Sequence, residues 1–303
     1  MKKCSILLSI YNPNEEFLVK QLESLNNQTY KNCEVLIYDD CPNLRYDKTK
    51  FKKYLNKINY RVLKYKKNNI GYSKAFEELI KNVAHDGYIA FCDQDDIWFD
   101  SKIEEMIKKL ETENKAFSYC NRNIINTFDN IIKENECNSL IKDFKGDNYK
   151  LLTGSPFRTL APGMSIICTV SFAKSCLPFY NFAFDKWLSC CALAENTSLH
   201  VDKVLVNYRR HGNNVSGILN GIKSKKDYFE NRVKIHNDIV VALKEKYPNV
   251  DLDEMIYFSN CRMNKNIVGL YKKRWISKKQ TILEIILCII PSFIFDIILK
   301  IRK

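Results

Sequence analysis

Three short runs in this chain are apolar almost throughout and stop abruptly at polar residues. Residues 5–10 end at Tyr11-Asn12-Pro13, residues 34–38 at Asp39-Asp40, and residues 88–92 at Asp93-Gln94-Asp95-Asp96. A strand buried on both faces reads as a continuous apolar run, and such strands belong to parallel sheets covered by helices. Between the runs the apolar period changes to that of a helix. Leu18, Leu22 and Leu25 mark one face, Tyr72, Ala75, Phe76, Leu79, Ile80 and Val83 a second, and Ile103, Met106, Ile107 and Leu110 a third. Residues 45–60 carry a looser helical pattern, while 60–65, 116–119 and 201–208 read as further strands. The alternation predicts an α/β fold with a mostly parallel central sheet flanked by helices. Ligands of such sheets bind beyond the carboxyl ends of the strands, so the three polar clusters are expected to converge on one edge.

Several function classes drop out at this point. No GxGxxG follows the first run and no GxxxxGK[ST] occurs anywhere, which disfavours a dinucleotide-binding oxidoreductase and a P-loop nucleotidase. The 12 cysteines include no CxxC pair, and several sit inside apolar runs, so they read as reduced core residues rather than a zinc site. The apolar start is short and is cut by Asn12-Pro13 without a small-residue cleavage site. It reads as a strand, not a leader, which puts the working face in the cytoplasm.

With 303 residues and 46% hydrophobic content, the chain can build a domain of about 200 residues plus an appendage. We expect a catalytic domain over 1–220 and a basic, helical extension with an apolar end over 221–303. Of the net charge of +13, +8 falls in that extension, which holds 17 Lys and Arg against 9 Asp and Glu. Such a balance favours anionic partners. No RNA- or DNA-binding motif accompanies it, so nucleic acid is not an expected partner. Residues 121–160 read as polar and irregular, and Gly154-Ser155-Pro156 and Ala161-Pro162-Gly163 break the chain around an expected active-site loop.

The acidic cluster at 93–96 carries the sharpest chemistry. Neighbouring carboxylates cost several kcal/mol to bury unless a cation compensates. Hard divalent ions take carboxylate oxygens and leave positions open for phosphate oxygens. Asp39 or Asp40 could accept from a pyrimidine imide or a ribose hydroxyl, although acidic pairs also sit in ordinary turns. Gly71, after Asn69-Ile70, permits a tight strand-to-helix turn. Asp185-Lys186-Trp187 follows an aromatic stretch; a desolvated carboxyl there becomes a better base, and a helix N-cap is the plainer alternative. His211 stands among Arg209, Arg210, Asn213 and Asn214, a composition that suits an anion edge.

Together these segments resemble the family 2 glycosyltransferases of GT-A fold, particularly their rhamnosyltransferase-like branch. The residues that carry the resemblance are Ser9-Ile-Tyr-Asn-Pro-Asn-Glu-Glu-Phe-Leu18, Asn27-Gln-Thr-Tyr30, Asp39-Asp40, Asn69-Ile-Gly-Tyr-Ser-Lys74, Phe91-Cys-Asp-Gln-Asp-Asp-Ile-Trp98, Asp185-Lys-Trp187 and the segment 208–217. The resemblance implies an inverting transferase that moves a single sugar from a nucleotide-diphosphate sugar, dTDP-rhamnose or a UDP-sugar, to an acceptor glycan of a surface polysaccharide. It implies that Ser9, Tyr11, Asp39, Asp40, Asn69 and Asp93 bind the nucleotide-sugar. It further implies that Asp95, with Asp93 and His211, holds Mn²⁺ or Mg²⁺, and that Asp185 is the general base. Two departures stand out: Cys41-Pro42 replaces the usual Gly-Ser, and the Gln/Arg-x-x-Arg-Trp signature of processive synthases is absent after residue 187. A nucleotidyltransferase, or a catalytically silent scaffold of the same fold, is the alternative; the first would show a phosphate loop where Tyr11-Asn12-Pro13-Asn14 stands.

The segment 281–299 approaches the length of a membrane span, about 20 residues, but Glu284, Pro291 and Asp296 interrupt it. Lys272, Lys273, Arg274, Lys278 and Lys279 precede it. We expect a helix pair that meets the inner face of the cell membrane peripherally, or a second copy in a homodimer, rather than a span. A lipid-linked acceptor would explain that placement.

Overall fold

The first apolar run forms β1 (Cys4–Ile10), which lies between β2 (Cys33–Asp39) and β4 (Tyr88–Cys92) and runs parallel to both. β3 (Asn59–Val62) adds a parallel edge beside β2. All of β4, and nearly all of β1 and β2, is buried, as continuous apolar runs require. The pairings of Ile10 with Asp39 and of Leu8 with Cys92 bring the three strand ends within two residues of one another. Tyr11, Asp40 and Asp93 therefore leave the sheet at the same edge.

The computed structural model describes residues 1–211, 219 and 221–301. Beyond β4 the sheet continues through β5 (Ile97–Trp98), β6 (Phe117–Ile125), β7 (Ile131–Glu136), β8 (Ile166–Thr169) and β9 (Ser198–Arg209). The order is β3-β2-β1-β4-β8-β6-β9-β5, with β7 on β6. β8 is antiparallel to both β4 and β6, and β5 and β7 are antiparallel to their partners; β6 and β9 are parallel. The expected α/β architecture is present, and its sheet is mixed: an apolar run reports burial, and burial does not encode direction.

Helices α1 (Glu15–Asn26), α2 (Lys48–Tyr54), α3 (Tyr72–Lys81) and α4 (Lys102–Thr112) follow the periodicities of the sequence. Asn14 caps α1 by accepting from the Phe17 amide at 3.2 Å, with Glu15 and Glu16 in the first turn where the helix dipole favours acids. The segment 121–160 is more regular than its polarity predicts. β6 carries Asn121, Arg122 and Asn123 buried. Their amides are paired: Asn121 with Asn135 at 2.7 Å and Asp202 at 2.8 Å, Asn123 with Asn207 at 3.0 Å. Buried polar groups are tolerated when bonded in this way.

Two compact units emerge, one of Met1–Asn138 with Ala161–Gly212 and one of Ser139–Leu160 with Asn213–Lys303. The first contains the sheet, helices α1 to α4, and α7 (Val170–Ser175) and α8 (Phe184–Ala194). The second is helical: α5 (Ser139–Phe144), α6 (Asn148–Gly154), α9 (Lys225–Tyr228), α10 (Ile235–Lys246), α11 (Asp253–Met263), α12 (Ile267–Lys272), α13 (Lys278–Ile289) and α14 (Ser292–Ile301). At its centre Glu284 of α13 accepts from Arg262 of α11 at 2.6 and 2.9 Å and from the Tyr228 hydroxyl at 2.9 Å. Arg262 also reaches His236 at 2.8 Å. Pro291, which lacks an amide hydrogen, separates α13 from α14. Among the described residues no helix is long and apolar enough to cross a membrane.

Candidate active site

At the end of β1 the chain turns through Asn12, whose φ of 41° lies in the left-handed region that asparagine tolerates better than most residues. The turn is held to the acidic loop by one side chain. Gln94 accepts from the Tyr11 amide at 2.8 Å and donates back to the Tyr11 carbonyl at 3.2 Å. The Tyr11 ring stays exposed, and Ser9 is half-buried at the end of β1. An aromatic face is thus presented beside the acidic loop.

Asp39 and Asp40, both buried, organise the loops that follow their strand. Asp39 accepts from the amides of Cys41 at 3.0 Å and Tyr46 at 2.9 Å, and Arg45 pairs with it at 3.5 Å. The Arg45 guanidinium lies 3.6 Å from the centroid of the Tyr65 ring. Asp40 accepts from the amides of Ile70 and Gly71 and from the Asn69 side chain, each at 2.9 Å. Burial raises the Asp40 carboxyl above its ordinary value, and the two amides partly oppose that rise. Gly71 has φ 82° and ψ 153°, a region open essentially to glycine alone. Asn69, expected at the donor, donates to Asp40 at the entry to α3.

The loop 93–96 gathers charge. Asp93 is half-buried, and its carboxyl is pushed up to about 7 by burial and by the negative charges of Asp95 and Asp185. Asp95 meets His211 at 2.8 Å, and the His211 ring lies 5.6 Å from that of Phe17. Asp96 is fully buried; burial first, then Asp95 and Asp93, push its carboxyl well up. Arg209 is also fully buried. Its amide donates to Asp96 at 3.0 Å, and its guanidinium donates to the Asp95 carbonyl at 2.9 Å, to the Asn126 carbonyl at 3.0 Å and to Asp129. Arg209 thus belongs to the frame of the acidic loop and not to an anion edge, because none of its surface faces solvent. Asn213 and Asn214 lie outside the described residues.

Asp185 arrives from elsewhere in the chain, in the first turn of α8. It is half-buried; burial raises its carboxyl, and hydrogen bonds from the Lys186 and Gly163 amides partly counter the rise. Its neighbour Phe184 packs 4.3 Å from Phe76 and 4.9 Å from Phe91, between centroids. Gly163 fits under that ring: a Cβ there would stand 2.5 Å from Phe184 Cζ. Asp185 does not cap α8; Ala183 stands at the cap. The fold thus unites Asp93, Asp95, Asp185 and His211, while Asp39, Asp40 and Asn69 serve the adjoining loops.

Two participants escaped the sequence reading. Gln94 had no signal beyond its place between acids. Lys102, in the first turn of α4, is fully buried, donates to the Met164 carbonyl at 2.6 Å and lies 3.0 Å from the Trp98 ring centroid. Burial lowers its ammonium to about 8, against the opposing pull of Cys120, Cys92 and Asp96.

A family model for glycosyl transferase family 2 matches residues 5–171, the stretch that holds every strand-end cluster described above. The chain belongs to glycosyl transferase family 2. Its mixed, helix-flanked sheet is the GT-A-like fold of such enzymes. An uncharacterized glycosyltransferase of Methanocaldococcus jannaschii is 25% identical over 241 residues, 77% of this chain and 78% of that protein. The Escherichia coli UDP-Glc:alpha-D-GlcNAc-diphosphoundecaprenol beta-1,3-glucosyltransferase WfaP is 35% identical over 122 residues. That match spans 40% of this chain and 46% of the E. coli enzyme, less than half of either. Among solved structures, S. aureus TarS 1–349 in complex with UDP-GlcNAc aligns with a TM-score of 0.59 at 16% identity, over 91% of this chain and 82% of that one. Asp185 and His211 lie beyond the family-model match, so their place beside Asp93 and Asp95 rests on the geometry above.

Proposed function

We propose that this family 2 enzyme transfers a single sugar, with inversion, from a pyrimidine nucleoside-diphosphate sugar to a hydroxyl of an acceptor glycan in surface-polysaccharide synthesis. The observation that carries this reading is the grouping of Asp95 and Asp185 about Asp93, whose carboxyl is raised to about 7 by burial first and then by the charges of those two acids. Structural ion pairs neutralise charge; this cluster accumulates it, as a site that receives a cation or a proton must.

In the mechanism we infer, the Tyr11 ring and the loops organised by Asp39 and Asp40 receive the nucleoside, with Ser9 and Asn69 beside them. Asp185, held in the first turn of α8 and raised by burial, takes the proton of the acceptor hydroxyl as that oxygen attacks the anomeric carbon. The nucleoside diphosphate departs on the opposite face, so configuration inverts in one displacement. Asp95, 2.8 Å from His211, would with Asp93 hold a divalent cation, whose remaining positions would be open to diphosphate oxygens. Mn²⁺ or Mg²⁺ would supply stabilisation of the charge that grows on the leaving diphosphate.

The E. coli relative is named for a UDP-Glc donor and a diphosphoundecaprenol acceptor; the rhamnosyltransferase-like resemblance points to dTDP-rhamnose. We propose a lipid-linked acceptor and a peripheral position at the inner face of the membrane on the first ground. A thermal-shift panel of UDP-, dTDP- and GDP-sugars with and without Mn²⁺ or Mg²⁺ tests the donor site. A ligand at a hundredfold excess over its Kd stabilises the native state by about 2.7 kcal/mol. The expected result is a metal-dependent shift with one pyrimidine nucleotide class that Asp95→Ala abolishes. No shift with any donor would leave the silent scaffold as the better reading, and a shift with free nucleoside triphosphates in place of nucleotide-sugars would favour the nucleotidyltransferase.

A further inference from the structure

We propose that α13 and α14 form a contact face that seats the second compact unit in the headgroup layer of an anionic membrane. The proposal extends the lipid-linked-acceptor reading, but its test needs no transfer activity.

The face is defined by exposure. Ile282, Ile286 and Ile289 of α13 are 49%, 44% and 71% exposed, at the spacing of one helix stripe. Phe293, Ile294 and Ile297 of α14 are 64%, 37% and 51% exposed. Six large apolar side chains on two consecutive helices are an interaction site rather than scattered surface residues. Their orientation is fixed from the other side. Leu283 and Leu287 join Phe295 and Leu299 in a cluster with Ile222, Tyr228 and Val233. Glu284 is tied to Arg262 and Tyr228, so α13 cannot roll to hide its isoleucines without breaking a buried ion pair. Lys225 donates to the carbonyls of Leu287 and Ile290, which closes the end of α13 just before Pro291.

Charge selects the occupant. Lys278 and Lys279 are exposed in the turn that precedes Ile282, and Lys272 and Arg274 are exposed just upstream. A second copy would set two basic margins against each other, whereas anionic headgroups complement them. Length selects the mode. The 12 residues of α13 and the 10 of α14 reach about 18 and 15 Å at 1.5 Å per residue, well short of a hydrocarbon core of about 30 Å. Each helix can therefore lie in the interface with its apolar side immersed and its bases among the headgroups.

The full chain is to be co-sedimented with vesicles of phosphatidylglycerol and phosphatidylcholine in equal parts, and with vesicles of phosphatidylcholine alone. The expected result is at least about tenfold tighter binding to the anionic vesicles, weakened by salt. Ile286→Asp with Ile289→Asp is expected to lose at least about tenfold on both kinds of vesicle. Lys278→Glu with Lys279→Glu is expected to lose the preference for the anionic kind. Both variants leave Glu284 and Leu283 in place, and an unchanged far-ultraviolet spectrum confirms their fold. Absence of vesicle binding by the natural sequence, or binding indifferent to both variants, overturns the proposal. So does a homodimer that Ile286→Asp with Ile289→Asp dissociates while vesicle binding is unchanged. Vesicle binding without transfer from any donor would sink the proposed activity and leave this face standing.

Discussion

Both compact units keep carboxylates away from water, and they treat them in opposite ways. In the helical unit Glu284 meets Arg262 in a two-pronged pair, with the Tyr228 hydroxyl on the same carboxylate. In the sheet unit burial and the charges of Asp95 and Asp185 raise the Asp93 carboxyl, and the described ring nitrogen against Asp95 is that of His211. A charge that is fully matched holds helices together; buried carboxylates crowded by others of the same sign have their pKa raised. The contrast separates architecture from chemistry without reference to any relative.

Substitutions should split along the same line. Asp185→Asn keeps the side-chain shape and removes the base. Transfer should fall by about 10²- to 10⁴-fold in a donor-turnover assay, while the donor-induced thermal shift persists. Near-normal turnover would show that another group takes the proton. Glu284→Ala should do the reverse. It strands the buried Arg262 guanidinium and should cost about 3–5 kcal/mol in urea unfolding. A cost near zero would mean that water reaches the pair and that α13 is loosely held.

Lys102 lies between these extremes, a buried cation whose described hydrogen bond is to a neutral carbonyl, that of Met164. Its pKa is about 8 folded against an ordinary 10.5, so between those values the unfolded chain binds more protons. Stability should therefore rise with pH across about 8 to 10.5, by about 3 kcal/mol for this group, and Lys102→Met should flatten that rise. Parallel stability–pH curves for the two proteins would show that the ammonium is hydrated. Gly163→Ala should have the smallest effect. Its new methyl would push on the packed Phe184 ring, for about 1–3 kcal/mol of destabilisation and a shift of the adjoining Asp185. A drop in kcat larger than the loss of stability explains would support that coupling; equal losses would confine it to packing.

Much of the sheet unit is legible from the chain alone because its signals are local. Continuous apolar runs at 5–10, 34–38 and 88–92 appear as β1, β2 and β4. Only the start of β6, within 116–119, was legible; its polar continuation was not, because Asn121 and Asn123 look solvated until their amide partners on other segments are known. Arg209 misled for a related reason. A basic residue beside a histidine reads as an anion edge, and only packing against Phe17, with a guanidinium 4.3 Å from the ring centroid, shows it to be part of the frame. The pairing of Glu284 with Arg262 was equally invisible, since a charge in an apolar helix looks like an interruption until its counter-charge is found.

The sequence by itself determined the strand-end clusters, the glycine turn at Gly71 and the family, all features of adjoining residues or of their order. Only the tertiary structure decided which acids face one another. Asp185 reaches Asp93 because α8 is fixed by Phe184 against Phe76 and Phe91, and Asp95 reaches His211 because β9 runs beside β6 and β5. Periodicity measures the burial of one segment at a time. Contact between distant carboxylates depends on strand register and helix packing, which no single segment carries.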